Sequence, residues 1–400
     1  MTEKISILAA PAHYQLNTTS EYGWTFNILN EVSKHFPVEF EAITGFDALK
    51  EREGNTHLRI QEIFSELNPQ PGNRDKLRFI WGYWRRARAL LRLRDFDIIH
   101  HILPFGYKET FNPLALFGST KKQPFIIGPV QSPHVFVGED NPEGGTKTIL
   151  SKIFEKLCRR TLLRADVIIA INEYSKKTYE NFVPGEKIVV ISPGIHVHNY
   201  ESRPTGQDKK NIQLLTVGAL ILRKGITDLL NTLAEVVKKY PDTRLHIVGD
   251  GPQKSNLQQL TKEMRLEKNV IFHGQIPHQE TARFFQKSDI YCSASLSESF
   301  GQVYLEAMAC GKPVLSTDNI GAREIVIDGE TGFLTPIKNT ATMAKKIIEL
   351  IEQPHLRQKF GEQGRIRTEE NYDWSIISKK YFNIYKDCLD EKSNGAGKSL

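Results

Sequence analysis

The sequence predicts an α/β protein made of two successive parallel-sheet halves, and three observations carry that expectation. Its 400 residues, 40% of them hydrophobic, are enough to bury two sizeable cores. Short apolar runs alternate with longer amphipathic stretches, the rhythm of strands joined by crossover helices with parallel pairing. The rhythm stops in a polar segment that carries Pro204 and Gly206, then restarts at Leu214, so an interdomain linker is placed at 196–211.

In the first half (1–195), Ile5 to Ala10 reads as a strand, and a polar loop from His13 to Tyr22 leads through Gly23 into the helical pattern Phe26, Ile28, Leu29, Val32 and Phe36. A strand, a loop and a helix N-terminus form a possible phosphate site, because the first amides of a helix are unpaired and its dipole favours an anion. Val38 to Ile43 is the next strand, and a basic helical region precedes the strand Ile98 to Leu103. Pro124 to Gly128 ends in a loop that carries His134, on the side where open α/β sheets hold ligands. A helix near Lys147 to Arg164, a strand Val167 to Ile171, a helix near Ser175 to Asn181 and a strand Lys187 to Ile191 complete this half.

The second half (212–373) restarts with strand Leu214 to Val217, a helix from Gly225, strand Leu245 to Val248, a helix from Lys254, strand Val270 to Phe272 and a helix from Gln279. Strand Ile290 to Ser293 and strand Pro313 to Thr317 bracket a helix predicted from Gly301 to Cys310, with Gly311 as its C-cap. An amphipathic helix at 374–389 and a disordered tail at 390–400 close the chain.

Composition narrows the function classes. No apolar run approaches the ~18 residues of a membrane span, and the first is cut short by Pro11, so it is read as a strand and not as a leader. Cys158, Cys292, Cys310 and Cys388 are too far apart for a zinc motif or a disulfide framework, which fits a reducing cytoplasm. The formal charge is only +6, yet Arg74 to Arg94 alone holds eight basic residues against the single acid Asp75. That segment points to a polyanionic surface as a partner.

The stretch Ser297 to Val314, S-E-S-F-G-Q-V-Y-L-E-A-M-A-C-G-K-P-V, is the densest in chemistry. The amides near Phe300, Gly301 and Gln302 lie at a helix N-terminus, suited to a phosphate or a polar sugar oxygen, and Gly301 admits a close approach. Glu298 lies in the loop, and Glu306, four residues after Gln302, shares that residue's helix face. A lone glutamate in a first turn would merely answer the dipole; two glutamates flanking a Phe-Gly turn call for a ligand.

This stretch resembles the E-x7-E motif of family 4 glycosyltransferases. The resemblance implies a GT-B fold, two Rossmann-like domains facing a cleft, and a retaining transfer of sugar from a nucleotide diphosphate sugar without a required metal or cofactor. It places Glu298 by the donor sugar and Glu306 on the nucleotide ribose. Val217 to Gly225 resembles the family's phosphate-binding stretch: Gly218 opens it, Lys224 matches the lysine that neutralises the diphosphate, and Arg223 supplies a second cation where Ala219 replaces the usual arginine. Gly23 matches one glycine of the family's glycine loop, Gly251 sits in a nucleotide-side loop, and His134 corresponds to a sugar-contacting histidine. The C-terminal helix is expected to cross back to the N-terminal domain.

Other readings use the same residues. A sugar-nucleotide epimerase or a glycan phosphorylase shares the fold, and a non-catalytic binding protein would have kept it without the carboxylates. A nucleic-acid binder would use Arg74 to Arg94, but no reading motif accompanies that patch. Asp95-Phe96-Asp97 spells the D-x-D of metal-dependent transferases, yet Asp97 sits where a helix gives way to a strand. His100 and His101 point to opposite faces of a strand and cannot easily share an ion.

The basic helix has its own pattern. Ile80, Trp84, Ala87 and Leu91 make an apolar stripe, Arg85, Arg88 and Arg92 a neighbouring basic one, and Trp81, Tyr83 and Trp84 supply rings suited to a headgroup layer. An anionic membrane or a lipid-linked acceptor is the expected partner, giving a cytoplasmic protein peripheral to the membrane. A solvated helix packed by its apolar stripe explains the same pattern.

Overall fold

The computed structural model describes residues 4–16, 20–47, 55–66, 72–102, 110–117, 122–132, 149–203 and 211–396. They form two compact units: Ile195–Asp373 makes up one, and residues up to Gly194 together with those from Trp374 onward make up the other.

The first unit contains β1 (Ile5–Ala9), β2 (Gln15–Leu16), α1 (Ser20–His35), β3 (Val38–Thr44), β4 (Phe46–Asp47), β5 (Leu58–Glu62), α2 (Asn73–Leu93) and β6 (Ile98–His101). It continues with α3 (Pro113–Leu116), β7 (Phe125–Val130), α4 (Ile149–Arg164), β8 (Val167–Ala170), α5 (Glu173–Tyr179) and β9 (Ile188–Val190). The sheet runs β5-β3-β1-β6-β7-β8-β9 with parallel pairing throughout. Its central strands β1, β6 and β7 are almost wholly buried, because both faces are covered.

On one face Ile7, Ile28, Leu29, Ile98 and Ile126 pack with Trp374, Ile377, Tyr381 and Tyr385 of the C-terminal helix (Trp374–Ala396). Those four helix residues recur at the spacing of one helical face, so the helix buries its stripe on this unit. Phe382 stacks on Phe36, just past the end of α1, at 4.5 Å. The helix runs seven residues beyond the predicted end at Leu389, which corrects the expectation of a disordered tail from 390. Glu391 and Lys392 are good helix formers, and extending an existing helix costs far less than nucleating one.

The opposite face holds Leu8, Ile43, Phe79, Tyr83, Ala87, Ile99, Phe125, Ile127 and Leu162. Helix α2 therefore buries Phe79, Tyr83 and Ala87 most deeply, while Ile80, Trp84 and Leu91 are only partly covered. The sequence reading put the core stripe about one position too late, because spacing alone does not say which of two adjacent stripes meets the sheet. Leu77 and Trp81 are more than half exposed, and they share the outer face with Arg85, Arg88 and Arg92. Trp84 packs edge-on to Trp81 at 5.0 Å, 5.9 Å from the Phe117 ring, with the Arg88 guanidinium 4.9 Å above it.

Two polar features of this unit prove structural. Asp97 accepts from the amide and the hydroxyl of Ser6 at 2.7 and 2.8 Å, tying β6 to β1. His100 is buried between the Tyr385 hydroxyl (2.9 Å) and the Gly128 carbonyl (3.1 Å), and desolvation drives its pKa down to about 3, so it is a neutral core residue.

The second unit contains β10 (Gln213–Val217), α6 (Ile226–Val237), β11 (Arg244–Val248), α7 (Lys254–Glu263), β12 (Val270–Gly274), α8 (His278–Lys287) and β13 (Ile290–Ser293). It ends with α9 (Gln302–Ala309), β14 (Val314–Thr317), α10 (Ile320–Ile325), β15 (Gly332–Thr335), α11 (Thr340–Glu352) and α12 (Pro354–Asn371). Its sheet is parallel, in the order β12-β11-β10-β13-β14-β15. Residues 195–203, mostly assigned to a linker from the sequence, are packed here: Val197 and Tyr200 are buried, and Arg365 donates to the Tyr200 carbonyl at 2.5 Å. The four cysteines are buried, and none is in a disulfide. Among the described residues, no helix is long and apolar enough to cross a membrane.

Candidate active site

In the second sheet β10 and β13 are neighbours, yet the chain leaves β10 towards β11 on the other side. This is a topological switch point, where the loops at the carboxyl ends of two adjacent strands diverge and leave a crevice. The β10 loop carries Gly218 and the 3₁₀ turn Leu222–Lys224; the β13 loop carries Ser295 to Gly301. The two loops are stitched together: the Leu296 amide donates to the Arg223 carbonyl, and Arg223 Nη1 donates to the Ser297 carbonyl, each at 2.8 Å. Arg223 is thus a clamp between loops as well as a cation.

Glu298 lies at the centre of this arrangement, 8% exposed. Its Oε1 pairs with Lys224 Nζ and accepts from Ser295 Oγ at 3.2 Å, and its Oε2 is 3.6 Å from Arg223 Nη1. A chain of hydroxyls lies beneath: Ser295 Oγ is 3.2 Å from Ser293 Oγ, which is 3.3 Å from Tyr304 Oη. Ser316 and Asn319 donate to that phenol at 3.1 and 3.3 Å. Burial, with the Glu298 charge behind it, pushes the Tyr304 pKa up to about 12, so the phenol stays a neutral strut. Two cations face one carboxylate, which leaves a positive surplus in a part-buried crevice and favours an anion.

The other half of the motif is built on α9. Gly301 precedes it with φ of 83°, and a Cβ there would lie 2.4 Å from the Tyr304 ring, so only glycine fits. Gln302 opens the helix; the Phe300 side chain is buried, leaving its backbone as the group a ligand could use. Glu306, 3% exposed, meets His278 Nε2 at 2.9 Å, and the buried Tyr200 lies close enough to feel the same carboxylate's charge. The hydrogen bond that His278 donates to Glu306, with that carboxylate's charge, raises the His278 pKa against the opposing effect of burial. Burial first, then Glu306, pushes Tyr200 far above the usual phenol range.

The remaining predicted residues divide by unit. The Lys224 stem runs over Gly218, where a Cβ would be 3.5 Å from Lys224 Cε, and Gly251 closes on the Leu220 backbone of the same loop. With Arg223, Lys224, Glu298, Phe300, Gly301, Gln302 and Glu306 they lie in the second unit. Gly23 lies in the first unit, and it is inside the first turn of α1, not in a loop before the helix as expected. Trp81, Trp84, Arg85, Arg88 and Arg92 also belong to the first unit, and His134 lies outside the described residues. Among the described residues no group of three or more His, Cys, Asp or Glu is arranged to hold a metal ion.

Sequence reasoning missed Ser295, Tyr304, Asn319, Tyr200 and His278. Asn319 alone had a local signal, as the N-cap of α10 whose side chain accepts from the Ala322 amide at 3.0 Å. The others are contacts of tertiary origin.

Two family models tile the chain: Glycosyl transferases group 1 matches residues 199–367, and Glycosyltransferase Family 4 matches residues 47–199. The chain belongs to the family 4 glycosyltransferases and has their GT-B fold, with two Rossmann-like parallel-sheet domains. It is 28% identical over 327 residues to a phosphatidyl-myo-inositol mannosyltransferase of Mycobacterium tuberculosis, a match covering 80% of this chain and 81% of that one. It is 30% identical over 247 residues to the N-acetyl-alpha-D-glucosaminyl L-malate synthase of Bacillus anthracis, covering 60% of this chain and 64%, under two thirds, of that enzyme. The solved structure of Anabaena HepE in complex with UDP superposes with a TM-score of 0.72 at 19% identity, covering 96% of this chain and 100% of that one.

Proposed function

We propose that this glycosyltransferase is a retaining enzyme that moves a sugar from a nucleotide diphosphate sugar to a glycan or lipid-linked acceptor. The observation that carries the reading is the pairing of Lys224 and Arg223 with Glu298 at the switch point, next to the N-terminus of α9.

The chemistry follows from charge. As the bond between the anomeric carbon and the diphosphate breaks, the carbon gains oxocarbenium character and the leaving group gains negative charge. Lys224 and Arg223 are fixed cations that stabilise that leaving charge without reorganising. The amides at Gly301 and Gln302 add a dipole of the same sign. Glu298, held by Ser295 and the two cations, orients the sugar and offsets positive charge at the carbon. Glu306 takes the ribose hydroxyls. The residues in hand support the chemistry without a divalent metal.

The acceptor side is read from α2, whose outer face carries Leu77, Trp81, Arg85, Arg88 and Arg92. Apolar and indole groups among arginines suit the headgroup layer of an anionic membrane. The relative that transfers mannose to phosphatidyl-myo-inositol is compatible with a lipid acceptor here.

The deciding experiment incubates the purified chain with radiolabelled UDP-, GDP- and ADP-sugars and follows slow donor hydrolysis, with and without EDTA. Hydrolysis of one donor, insensitive to EDTA and lost in Lys224→Ala, is expected. No hydrolysis of any donor would overturn the reading, and strict restoration by manganese would overturn metal independence.

A further inference from the structure

His278 opens α8 directly after Pro277, and its backbone is held by the Thr281 hydroxyl, which donates to the His278 carbonyl at 2.6 Å. Its imidazole stands between solvent and the Glu306 carboxylate: the histidine side chain is 41% exposed and the glutamate's 4%. Nε2 lies 2.9 Å from Glu306 Oε1, and Tyr200 approaches the same carboxylate.

A carboxylate offers about four lone-pair sites. His278 takes one of them on Oε1, and those that remain are enough for a vicinal diol. A hydrogen bond to a charged acceptor is short and directional, so this donor also fixes the plane of the carboxylate. A glutamate without it would turn on its side chain to find water.

We propose that His278 is a positioning residue that holds the Glu306 carboxylate for the 2′ and 3′ hydroxyls of the donor's ribose. This rests on the assignment of Glu306 to the ribose. The neutral tautomer protonated at Nε2 suffices, since the role is that of a donor and not of an acid.

The test measures binding of UDP and 2′-deoxy-UDP, and of GDP and 2′-deoxy-GDP, to the full chain by calorimetry. In the wild type the ribonucleotide should bind roughly tenfold or more tighter than its deoxy form, the scale of one hydrogen bond to a charged group. His278→Ala should shrink that preference to roughly threefold or less, lowering affinity for the deoxynucleotide, which keeps only the 3′ hydroxyl, by a smaller factor than affinity for the ribonucleotide, and His278→Gln, which places an amide N–H near the Nε2 position, should restore it. A merely structural histidine would lower both affinities by the same factor. A wild-type preference retained in His278→Ala but lost in Glu306→Ala overturns the role of His278 alone. A wild type without preference, or a Glu306→Ala variant that keeps it, overturns the ribose assignment and the proposal with it. Thermal unfolding of each variant, and His278→Phe as a second variant lacking a donor, separate a folding defect from either outcome.

Discussion

Neutralising Glu298 should loosen the second unit and at the same time tighten its grip on a diphosphate. In Glu298→Gln the shape is kept and the charge removed from a group that Lys224 and Arg223 both face. At the 3.6 Å separation from Arg223, and an effective dielectric constant of about 20, one such attraction is worth about 5 kcal/mol before desolvation is subtracted. Removing one member of a buried pair costs roughly 3–5 kcal/mol net. The Lys224 and Arg223 side chains keep 18% and 24% exposure, so water partly compensates them and the lower end, ~3 kcal/mol, applies. For a domain of this size that lowers the unfolding midpoint by ~6–12 °C. The same change removes a repulsion from the binding step. A carboxylate ~8 Å from an incoming phosphate repels it by about 2 kcal/mol per charge at that dielectric, and solvent roughly halves this, so UDP or GDP should bind roughly fivefold tighter. Turnover should fall by about a hundredfold, the scale for losing one electrostatic contact in the transition state. Calorimetry with the nucleotide and thermal unfolding with and without it read all but the last. A midpoint within about 2 °C of the wild type, together with unchanged nucleotide affinity, would refute the electrostatic argument.

Further outcomes follow from other parts of the structure. Lys224→Ala should cost more affinity for a nucleoside diphosphate than for the nucleoside, and equal losses by calorimetry would remove the diphosphate contact. Tyr83→Ala should destabilise the first unit by ~3 kcal/mol, since the ring is 1% exposed, whereas Trp81→Ala should leave urea unfolding nearly unchanged. Liposome flotation should show binding that requires anionic lipid, declines with salt and disappears when Arg85, Arg88 and Arg92 become Glu together; equal binding to neutral liposomes would sink the docking face. The His278–Glu306 pair also predicts a pH dependence of stability. Because the folded state raises the imidazole pKa, the pair's contribution is fully present below the unfolded value of about 6.5 and is lost as pH rises through the raised folded value. His278→Gln should flatten that slope in urea unfolding followed across this range.

By itself the sequence determined the alternation of strand and helix, its restart near Leu214, and the two glutamates that bracket a helix N-terminus. Each of these is a local property: hydrophobic period, turn chemistry and spacing are set by neighbours in the chain, so they are legible without a fold. Residues 195–203 and 390–396 were misjudged because their polar composition hides what they pack against or continue from. The face of α2 was misjudged by one stripe, since Phe79 and Ile80 have similar apolarity and only the sheet beneath selects between them. What the tertiary structure alone decided is the site as an electrostatic object. Lys224 meets Glu298 across 74 positions because β10 and β13 are adjacent in the sheet, and a parallel sheet brings the carboxyl ends of all its strands to one edge. His278 reaches Glu306 for the same kind of reason: a buried carboxylate must find a donor, and the packing of α8 against α9 supplies it from a place that no sequence period connects.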